Sequence, residues 1–206
     1  MEAMRSRLLD VGSAGLALPG ESESGDRHLV KSFRNGILLA VVDGLGHGPA
    51  AAEAADKAIA TLRARPQDSV ITLVQRCHEE LRKTRGAVMC VASLNLRNET
   101  ITWLCVGNVE SILLGGDLSA DPHYRSPVLR SGVLGLCLPP LRASVVPIVW
   151  GDTLILATDG IRSGFNRRLP AGVPARQLAM HILEHHRKGT DDALVLVARY
   201  WGKGQR

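Results

Sequence analysis

Acidic residues stand at three places where an apolar stretch of this chain meets a tight turn: Asp43-Gly44, Asp159-Gly160 and Asp191-Asp192. The strand ends of one layered domain can bring such carboxylates together, and like charges packed closely persist best with cations bound. Oxygen ligands suit Mg²⁺ or Mn²⁺, whereas no set of Cys and His residues favours zinc. Two such ions about 4 Å apart would activate a water and neutralise a phosphate. Three independent turn-capping aspartates are the alternative explanation.

The apolar run before Asp43 predicts a strand that is buried on both faces. Three glycines within the next five residues let other atoms approach the backbone closely. An alanine-rich helix is predicted after them, over residues 49–65. Asn35-Gly36 predicts a hairpin with a preceding strand over 27–33, and this pairing would bring Asp26 and Asp43 to the same end of a sheet.

The remaining hydrophobic periodicity predicts further strands and helices. Helices are expected from Asp68 or Ser69 to about Arg85, and over 174–188. Residues 117–140 are rich in Gly, Pro and Ser and are expected to form an irregular loop that faces the substrate. Strands are expected over residues 8–18, 87–96, 100–106, 110–114, 143–149, 153–157 and 193–200.

The order of these elements predicts an α+β fold with two stacked, mainly antiparallel sheets and helices outside them. The three strands between residues 87 and 114 are expected to form an antiparallel meander, and the strands at 143–149 and 153–157 flank a turn at Gly151-Asp152. No linker or internal repeat interrupts the pattern. We therefore expect a single domain over residues 1–206.

The composition is that of a globular protein and excludes several classes of function. Hydrophobic residues make up 45% of the chain and charged residues 22%, so disorder is not expected. Aromatic residues make up only 3%, which argues against the base-stacking surfaces of RNA-binding proteins. The net charge of +5 suits an acidic or phosphorylated partner. The Lys and Arg residues are scattered, however, and do not form the stripe that nucleic-acid binding requires.

Cysteine usage and hydropathy bear on the cellular compartment. Cys77, Cys90, Cys105 and Cys137 show no C-x-x-C spacing. Buried free thiols in a reducing environment are therefore expected, rather than disulfides or zinc ligands. No apolar run approaches the roughly 20 residues that span a bilayer, and the N-terminus has no apolar signal-peptide core. We expect a cytoplasmic protein that has no membrane or nucleic-acid partner.

Four short motifs follow one another along the chain: Ser24-Gly25-Asp26, Val42-Asp43-Gly44-Leu45-Gly46-His47-Gly48, Ala157-Thr158-Asp159-Gly160 and Gly189-Thr190-Asp191-Asp192-Ala193-Leu194-Val195. Their order and spacing resemble those of the PPM family of metal-dependent protein serine/threonine phosphatases, and more narrowly the bacterial SpoIIE-like branch. Each motif is weak alone, but the four in this order are specific and cover nearly the whole chain. In length and wording the chain looks most like the free-standing RsbX-type stressosome phosphatases.

This resemblance implies an αββα sandwich with two Mn²⁺ or Mg²⁺ ions between its sheets. Asp43 would bridge the two ions, and the Gly44 carbonyl would bind one of them. Asp159 and Asp191 would complete the shell of the other ion, and Asp26 would contribute directly or through water. Asp191 is chosen because the family's ligand is the first member of this acidic pair.

The resemblance also implies a reaction and its partners. The chain would be a phosphoserine and phosphothreonine protein phosphatase of bacterial stress signalling. Its substrates would be phosphorylated stressosome scaffold proteins or STAS-domain proteins. The alternative is a catalytically inactive, phosphatase-like module that binds such partners without hydrolysing their phosphate.

The chain departs from the eukaryotic family pattern in two ways. Eukaryotic members place a His directly after Asp-Gly and a phosphate-binding Arg near the N-terminus. Here a leucine follows Asp-Gly, and neither Arg5 nor Arg7 lies in such a motif, which leaves Arg130 and Arg162 as candidates. His47 could act as the general acid that protonates the leaving Ser or Thr oxygen, or it could have only a structural role at the start of a helix. The predicted catalytic residues are Asp43, Asp159, Asp191 and His47.

Overall fold

Ten β-strands and three α-helices form the described part of the computed structural model, residues 8–116, 124–167 and 169–202. The strands are β1 (Leu9–Leu16), β2 (Asp26–Phe33), β3 (Gly36–Gly44), β4 (Ala87–Asn95), β5 (Thr100–Val106), β6 (Glu110–Leu114), β7 (Tyr124–Arg125), β8 (Ser144–Pro147), β9 (Thr153–Ala157) and β10 (Ala193–Tyr200). The helices are α1 (Pro49–Ala64), α2 (Val70–Leu81) and α3 (Ala175–His186), with one 3-10 helix over Phe165–Arg167.

The strands form two five-stranded sheets in which all neighbours are antiparallel. Sheet I has the order β2-β3-β4-β5-β8, and sheet II has the order β1-β10-β9-β6-β7. The predicted hairpin is confirmed, because Phe33 pairs with Gly36 and Asn35 takes the left-handed conformation (φ 62°) that favours this turn. At the open end of the hairpin, Asp26 pairs with Asp43.

The two sheets stack face to face, and helices cover the outer face of each. Apolar side chains from both sheets fill the space between them, among them Leu39 of β3 and Leu196 of β10. α1 and α2 bury their apolar residues against sheet I, and α3 buries its own against sheet II. β3 is covered on both faces, which explains its continuous apolar sequence. The predicted αββα sandwich is confirmed.

Alanines let α1 lie close to the end of β3. Five of the seven buried residues of α1 are alanines. At the first turn of the helix, a Cβ atom on Gly44 would lie 2.0 Å from the backbone carbonyl oxygen of Ala51. Any side chain at Gly44 would therefore push α1 away from the strand. Small residues on both elements thus set the position of the strand end that carries Asp43.

The predicted meander is correct for β4 and β5, which pair as an antiparallel hairpin, and wrong for its third strand, because the chain changes sheet where a second hairpin turn was expected. After Gly107 (φ +94°) the chain leaves sheet I, and β6 pairs with β9 in sheet II. β8 and β9 follow a similar course: they flank the Gly151-Asp152 turn but lie in different sheets, where they pair with β5 and β10. Short glycine-containing turns occur both in hairpins and in crossings between stacked sheets, so turn composition does not separate the two.

The second and third helices are shorter than predicted. α2 begins after Ser69, whose hydroxyl accepts a hydrogen bond from the Thr72 N–H (3.1 Å) as an N-cap. It ends at Leu81 rather than near Arg85, and α3 ends at His186. No helix within the described ranges has the length and apolar character needed to cross a bilayer.

The cysteine prediction is wrong for one pair. Cys90 of β4 and Cys105 of β5 lie directly opposite each other in the register of sheet I and are joined by a disulfide. Cys77 is a buried free thiol, as predicted, whereas Cys137 is free and exposed. The pairing depends on cross-strand register, which the cysteine spacing by itself does not reveal.

Asp10 of β1 caps α3. Its Oδ2 accepts a hydrogen bond from the Ala175 N–H (2.8 Å), whereas the N-cap residue Pro174 makes no side-chain cap bond. We expect Asp10→Ala to lower the free energy of unfolding by about 1 kcal/mol, because an N–H group at the helix N-terminus loses its acceptor. Asp10→Asn keeps a side-chain oxygen and is expected to lose less. Urea unfolding followed by circular dichroism compares the two variants, and equal losses would contradict the capping role.

Candidate metal and catalytic site

The hairpin of β2 and β3 places two carboxylates side by side at one edge of sheet I. Asp26 begins β2, and its direct cross-strand partner is Asp43, near the end of β3. Asp26 is only 7% exposed, and its Oδ2 accepts a hydrogen bond from the Thr158 hydroxyl (2.8 Å). Thr158 directly follows β9 of sheet II. This bond therefore joins the two sheets at the edge where the carboxylates lie.

A third carboxylate, Asp159, comes immediately after that threonine. The Thr158 hydroxyl accepts a hydrogen bond from the Leu194 N–H (2.8 Å), and the Thr158 N–H donates to the Leu194 carbonyl (3.0 Å). These bonds fix the end of β9 against β10. Asn108, in the segment that crosses from β5 to β6, donates from Nδ2 to Asp159 Oδ2 (2.7 Å). Asp159 is thus held by its neighbours in sheet II and by a side chain from the crossing segment.

Two consecutive aspartates precede β10 and have different surroundings. Both oxygens of the buried Asp192 accept backbone hydrogen bonds, from the Leu18 N–H (2.7 Å) and the Gly25 N–H (2.6 Å). These bonds close both ends of the loop that leads from β1 to β2. Asp191 instead lines a cavity, and its Oδ1 accepts a hydrogen bond from the Asp192 N–H (2.8 Å). Only the first member of the pair faces open space.

The cavity at this edge has a volume of about 440 Å³, and Asp43, Asp159 and Asp191 all line it. The structure therefore brings together three carboxylates that come from distant parts of the sequence. Residues 131–133 form part of the wall and belong to the loop predicted over 117–140, of which 117–123 lie outside the described residues. The other lining residues are Leu45, Gly46, Val88, Gly107 and Asn108. A second cavity, of about 490 Å³, lies at the opposite end of sheet I and contains none of these carboxylates.

Burial and mutual repulsion raise the pKa values of these carboxyl groups. The pKa of Asp43 rises from its ordinary value of 3.8 to about 9, because the group is desolvated and because the other carboxylates surround it. The pKa of Asp26 rises to about 7, since burial outweighs the hydrogen bond that it accepts. Burial also raises the pKa of Asp191, although the nearby His47 acts in the opposite direction. Ionisation of these buried carboxyl groups is therefore unfavourable in the metal-free protein.

The donor chemistry of this cluster fits divalent cations. Carboxylate oxygens are the ligands that Mg²⁺ and Mn²⁺ prefer, and a cation would supply the missing counter-charge. Within the described ranges, no Lys or Arg forms an ion pair with the acidic residues of the cavity. The same ranges contain no group of three or more His, Cys, Asp or Glu side chains close enough to enclose an ion. The carboxylates thus share a cavity without closing around one point.

His47 lies beside the cavity, just before α1. Its Nδ1 is 2.5 Å from Glu21 Oε1, and its side chain is 54% exposed. Arg130 and Arg162 are not among the residues that line the cavity, and no other Arg or Lys of the described chain lines it. The Arg130 Nε is buried without a hydrogen-bond partner in the described residues. A third arginine, Arg85, lies against the wall: a Cβ atom on Gly46 would be 2.8 Å from its Nη1.

Three supporting residues are absent from the sequence-based site. Asn108 follows a glycine, which is typical of a hairpin turn. Its contact with Asp159, 51 residues further along the chain, is visible only in the structure. Asp192 follows a predicted ligand, and Thr158 precedes one. Their positions were visible in the motifs, but their hydrogen bonds depend on the packing of the two sheets. No sequence signal links Glu21 with His47, which lies 26 residues further along the chain.

Comparisons with known proteins agree with this architecture. The family model described as Stage II sporulation protein E (SpoIIE) matches residues 34–201. The phosphoserine phosphatase RsbX of Bacillus subtilis (strain 168) is 28% identical over 142 residues, which are 69% of this chain and 69% of that protein. A solved structure from work on the bacterial stressosome, as a modular system adapted to control secondary messenger signalling, has a TM-score of 0.84 at 34% identity, over 93% of this chain and 99% of that chain. RsbX in complex with magnesium has a TM-score of 0.83 at 22% identity, over 94% and 96% of the two chains.

The raised pKa of Asp43 predicts how the stability of the metal-free protein depends on pH. The folded protein keeps this proton up to about pH 9, whereas the unfolded chain releases it near the ordinary value of 3.8. Between these values the unfolded state binds fewer protons, so the free energy of unfolding falls as pH rises. We expect Asp43→Asn to remove this loss and to raise the melting temperature at about pH 8, by about 2–4 °C for each kcal/mol recovered.

Thermal unfolding in the presence of a chelator, from about pH 4 to about pH 9, measures this effect across the range set by the two pKa values. The gain from Asp43→Asn should shrink towards the acidic end, where both states are protonated. Glu53→Gln changes an exposed carboxylate of α1 and should leave the profile unchanged. A curve for Asp43→Asn that runs parallel to that of the wild type over the whole range would contradict the raised pKa.

Proposed function

This chain belongs to the Stage II sporulation protein E (SpoIIE) family and is a protein serine/threonine phosphatase, and from that premise we propose that two divalent cations, Mn²⁺ or Mg²⁺, serve its reaction in the carboxylate-lined cavity. The proposed substrate is a regulatory protein of bacterial stress signalling that is phosphorylated on serine or threonine. The proposed metal ligands are Asp26, Asp43, the Gly44 carbonyl, Asp159 and Asp191.

One observation carries the proposal: Asp43, Asp159 and Asp191 line the same cavity of about 440 Å³. Three aspartates that only capped separate turns would have no reason to meet there. Their meeting raises the electrostatic cost of the folded state, as the raised pKa values of Asp43 and Asp191 indicate. Such repulsion between carboxylates is offset when a ligand of opposite charge binds among them.

The cavity also explains why cations are needed for phosphate binding. A phosphate ester is a dianion near neutral pH, and it would enter a site that already holds several carboxylates. No Arg or Lys of the described chain is among the residues that line the wall, and the Arg85 guanidinium lies against only one of them, where a Cβ atom on Gly46 would be 2.8 Å from Arg85 Nη1. When bound, two divalent ions would neutralise the phosphate and supply an activated water.

The chain's own contribution is to hold the ligands in place before the substrate arrives. Asn108 fixes one oxygen of Asp159. Asp192 closes the loop that leads to Asp26, and Thr158 binds Asp26 from the opposite sheet. Ligands held by hydrogen bonds and packing need little reorganisation when the reaction begins. These contacts support a preorganised site at a rigid sheet edge.

The proposed partners are phosphorylated stressosome scaffold proteins or STAS-domain proteins. Two comparisons support this choice: the curated relative is named a phosphoserine phosphatase, and the 34% identical structure comes from work on the bacterial stressosome. The net charge of +5 suits a phosphorylated partner. The most direct assay is dephosphorylation of a panel of phosphorylated STAS-domain proteins, with and without Mn²⁺.

A phosphatase-like module that binds phosphorylated partners without hydrolysing them is the alternative against which the phosphatase assignment can be tested. The observation in its favour is that no Arg or Lys is among the described residues that line the cavity, although the Arg85 guanidinium lies against Gly46 of the wall. Calorimetric titration with Mn²⁺ separates the two functions. Two binding sites support the enzyme, whereas no binding at millimolar concentration supports the module.

Loss of a metal ligand should abolish turnover. We expect Asp43→Asn and Asp159→Asn each to lower kcat on a phosphoserine peptide with Mn²⁺ by about 10²–10³-fold or more, because the cations carry most of the stabilisation of charge in the transition state. Asp68→Asn is the control, since Asp68 lines the other cavity and pairs with Arg76. Turnover close to that of the wild type in both ligand variants would end the proposal.

The two neighbouring aspartates before β10 should differ in what their loss affects. We expect Asp191→Asn to weaken Mn²⁺ binding by about tenfold or more with little loss of thermal stability, because Asp191 faces the cavity. Asp192→Asn leaves one of two backbone N–H groups without an acceptor and should lower the melting temperature. Calorimetry with Mn²⁺ and thermal unfolding measure the two effects. The opposite assignment of effects would identify Asp192 as the ligand.

A further inference from the structure

Glu21 and His47 form a side-chain pair at the start of α1. Glu21 Oε1 lies 2.5 Å from His47 Nδ1. The other carboxylate oxygen lies against the helix N-cap, where a Cβ atom on Gly48 would be 2.7 Å from Glu21 Oε2. The N-terminal end of a helix favours negative charge. The glutamate therefore occupies a position that both the histidine ring and the helix terminus stabilise.

The loop that carries Glu21 is anchored close to this residue. The Glu21 N–H donates to the Leu18 carbonyl (3.0 Å), and the Leu18 N–H donates to Asp192 Oδ1 (2.7 Å). The other end of the loop is anchored where the Gly25 N–H donates to Asp192 Oδ2 (2.6 Å). The carboxylate that faces His47 thus projects from a loop whose two ends are fixed to the strand end of sheet II. Asp192, which follows Asp191, therefore sets the position of the Glu21 carboxylate relative to the cavity.

The pair lies beside the proposed reaction site. His47 follows Leu45 and Gly46, which line the cavity wall. It is close enough to Asp191 on that wall to act against the raised pKa of that carboxyl group. The imidazole is 54% exposed, so it can reach a substrate that enters from solvent. An ion pair as exposed as this one contributes little to stability. Its main physical effect is to orient the ring.

We propose that Glu21 is a positioning residue: its carboxylate accepts a hydrogen bond from Nδ1–H of the His47 ring, so that the charged ring presents Nε2–H on its far side to protonate the leaving oxygen of the substrate. A carboxylate that accepts from one ring nitrogen selects the tautomer and assigns the exchangeable proton to the other nitrogen. This inference rests on the proposed phosphatase function. It adds a residue that no motif of the sequence indicates.

The chemical step balances without any further reactant. A water oxygen forms a new bond to phosphorus as the bond from phosphorus to the serine or threonine oxygen breaks. The electron pair of the broken bond takes the proton from His47 Nε2, which gives the free hydroxyl group. The proton that the attacking water loses returns the imidazole to its charged form. The overall change is hydrolysis of a phosphate monoester to an alcohol and inorganic phosphate.

Two substrates with different leaving groups test the role of Glu21. The alkoxide of serine is a poor leaving group and needs a proton, whereas p-nitrophenolate leaves as a stable anion. We expect Glu21→Gln to lower kcat on a phosphoserine peptide by about tenfold, part of the 10²–10⁴-fold that a general acid supplies, and to change kcat on p-nitrophenyl phosphate by less than about twofold. Equal losses on both substrates, or no loss on either, would overturn the inference.

A double-substitution cycle shows whether Glu21 acts through His47. His47→Ala should have the same leaving-group preference as Glu21→Gln with a larger effect, and the double variant should be no worse than His47→Ala alone. Glu23→Gln is the matched control, because Glu23 lies in the same loop but pairs with Arg27 (2.9 Å). Additive losses in the double variant would show that Glu21 acts by another route and would overturn the inference.

Nitrogen NMR of the histidine rings gives a readout that needs no turnover. In the neutral ring, His47 should carry its proton on Nδ1 in the wild type and should lose this preference in Glu21→Gln. If the wild type shows this tautomer but hydrolyses neither substrate with Mn²⁺, the proposed function fails and the catalytic role of Glu21 fails with it. If the wild type is active and His47 shows no preference for Nδ1–H, only the positioning role fails.

Discussion

The crowding of buried carboxyl groups at one edge of the sandwich is the constraint on which the rest of the structure depends. Asp26 and Asp43 cannot move apart, because the hydrogen-bonded register of β2 and β3 fixes them opposite each other. The pKa of Asp43, raised to about 9 by burial and by its neighbours, shows how unfavourable ionisation is there. The strands that carry these residues must therefore be held by interactions elsewhere, chiefly the apolar core between the sheets.

Polar bonds between distant parts of the chain also meet at this edge. Thr158 of sheet II binds Asp26 of sheet I, and Asp192 binds the backbone of the loop between β1 and β2. The interior between the sheets, by contrast, is filled mainly with apolar side chains. Apolar packing brings the sheets together, and these hydrogen bonds determine how their ends are aligned. The relative positions of the carboxylates thus follow from the alignment of two sheets rather than from any one motif.

The parts of the fold that depend on local pattern could be predicted from the sequence. The β2–β3 hairpin, the pairing that brings Asp26 beside Asp43, and the helix that starts at Pro49 all follow from turn residues and periodicity within short stretches. The crossing of β6 to sheet II and the disulfide between Cys90 and Cys105 could not be predicted in this way, since both depend on which strands are neighbours. The three carboxylates that share the cavity could be grouped from the sequence because each carries its own strand-end signal, whereas the residues that hold them are defined only by contacts across the fold.

In the proposed site, the groups that balance the charge of the phosphate differ from the group that donates a proton to the leaving oxygen. The cavity wall presents carboxylates, and no Arg or Lys is among its described lining residues, so divalent cations would supply most of the positive charge that balances a phosphate there. Carboxylates crowded by like charges, with the pKa of Asp43 raised to about 9, would be poor proton donors once cations are bound, because bound cations favour their ionised form. A proton for the leaving oxygen must then come from outside this wall. The Glu21–His47 pair meets that need, because it lies beside the cavity on a different element and its ring is exposed to solvent, from which its proton can be replaced.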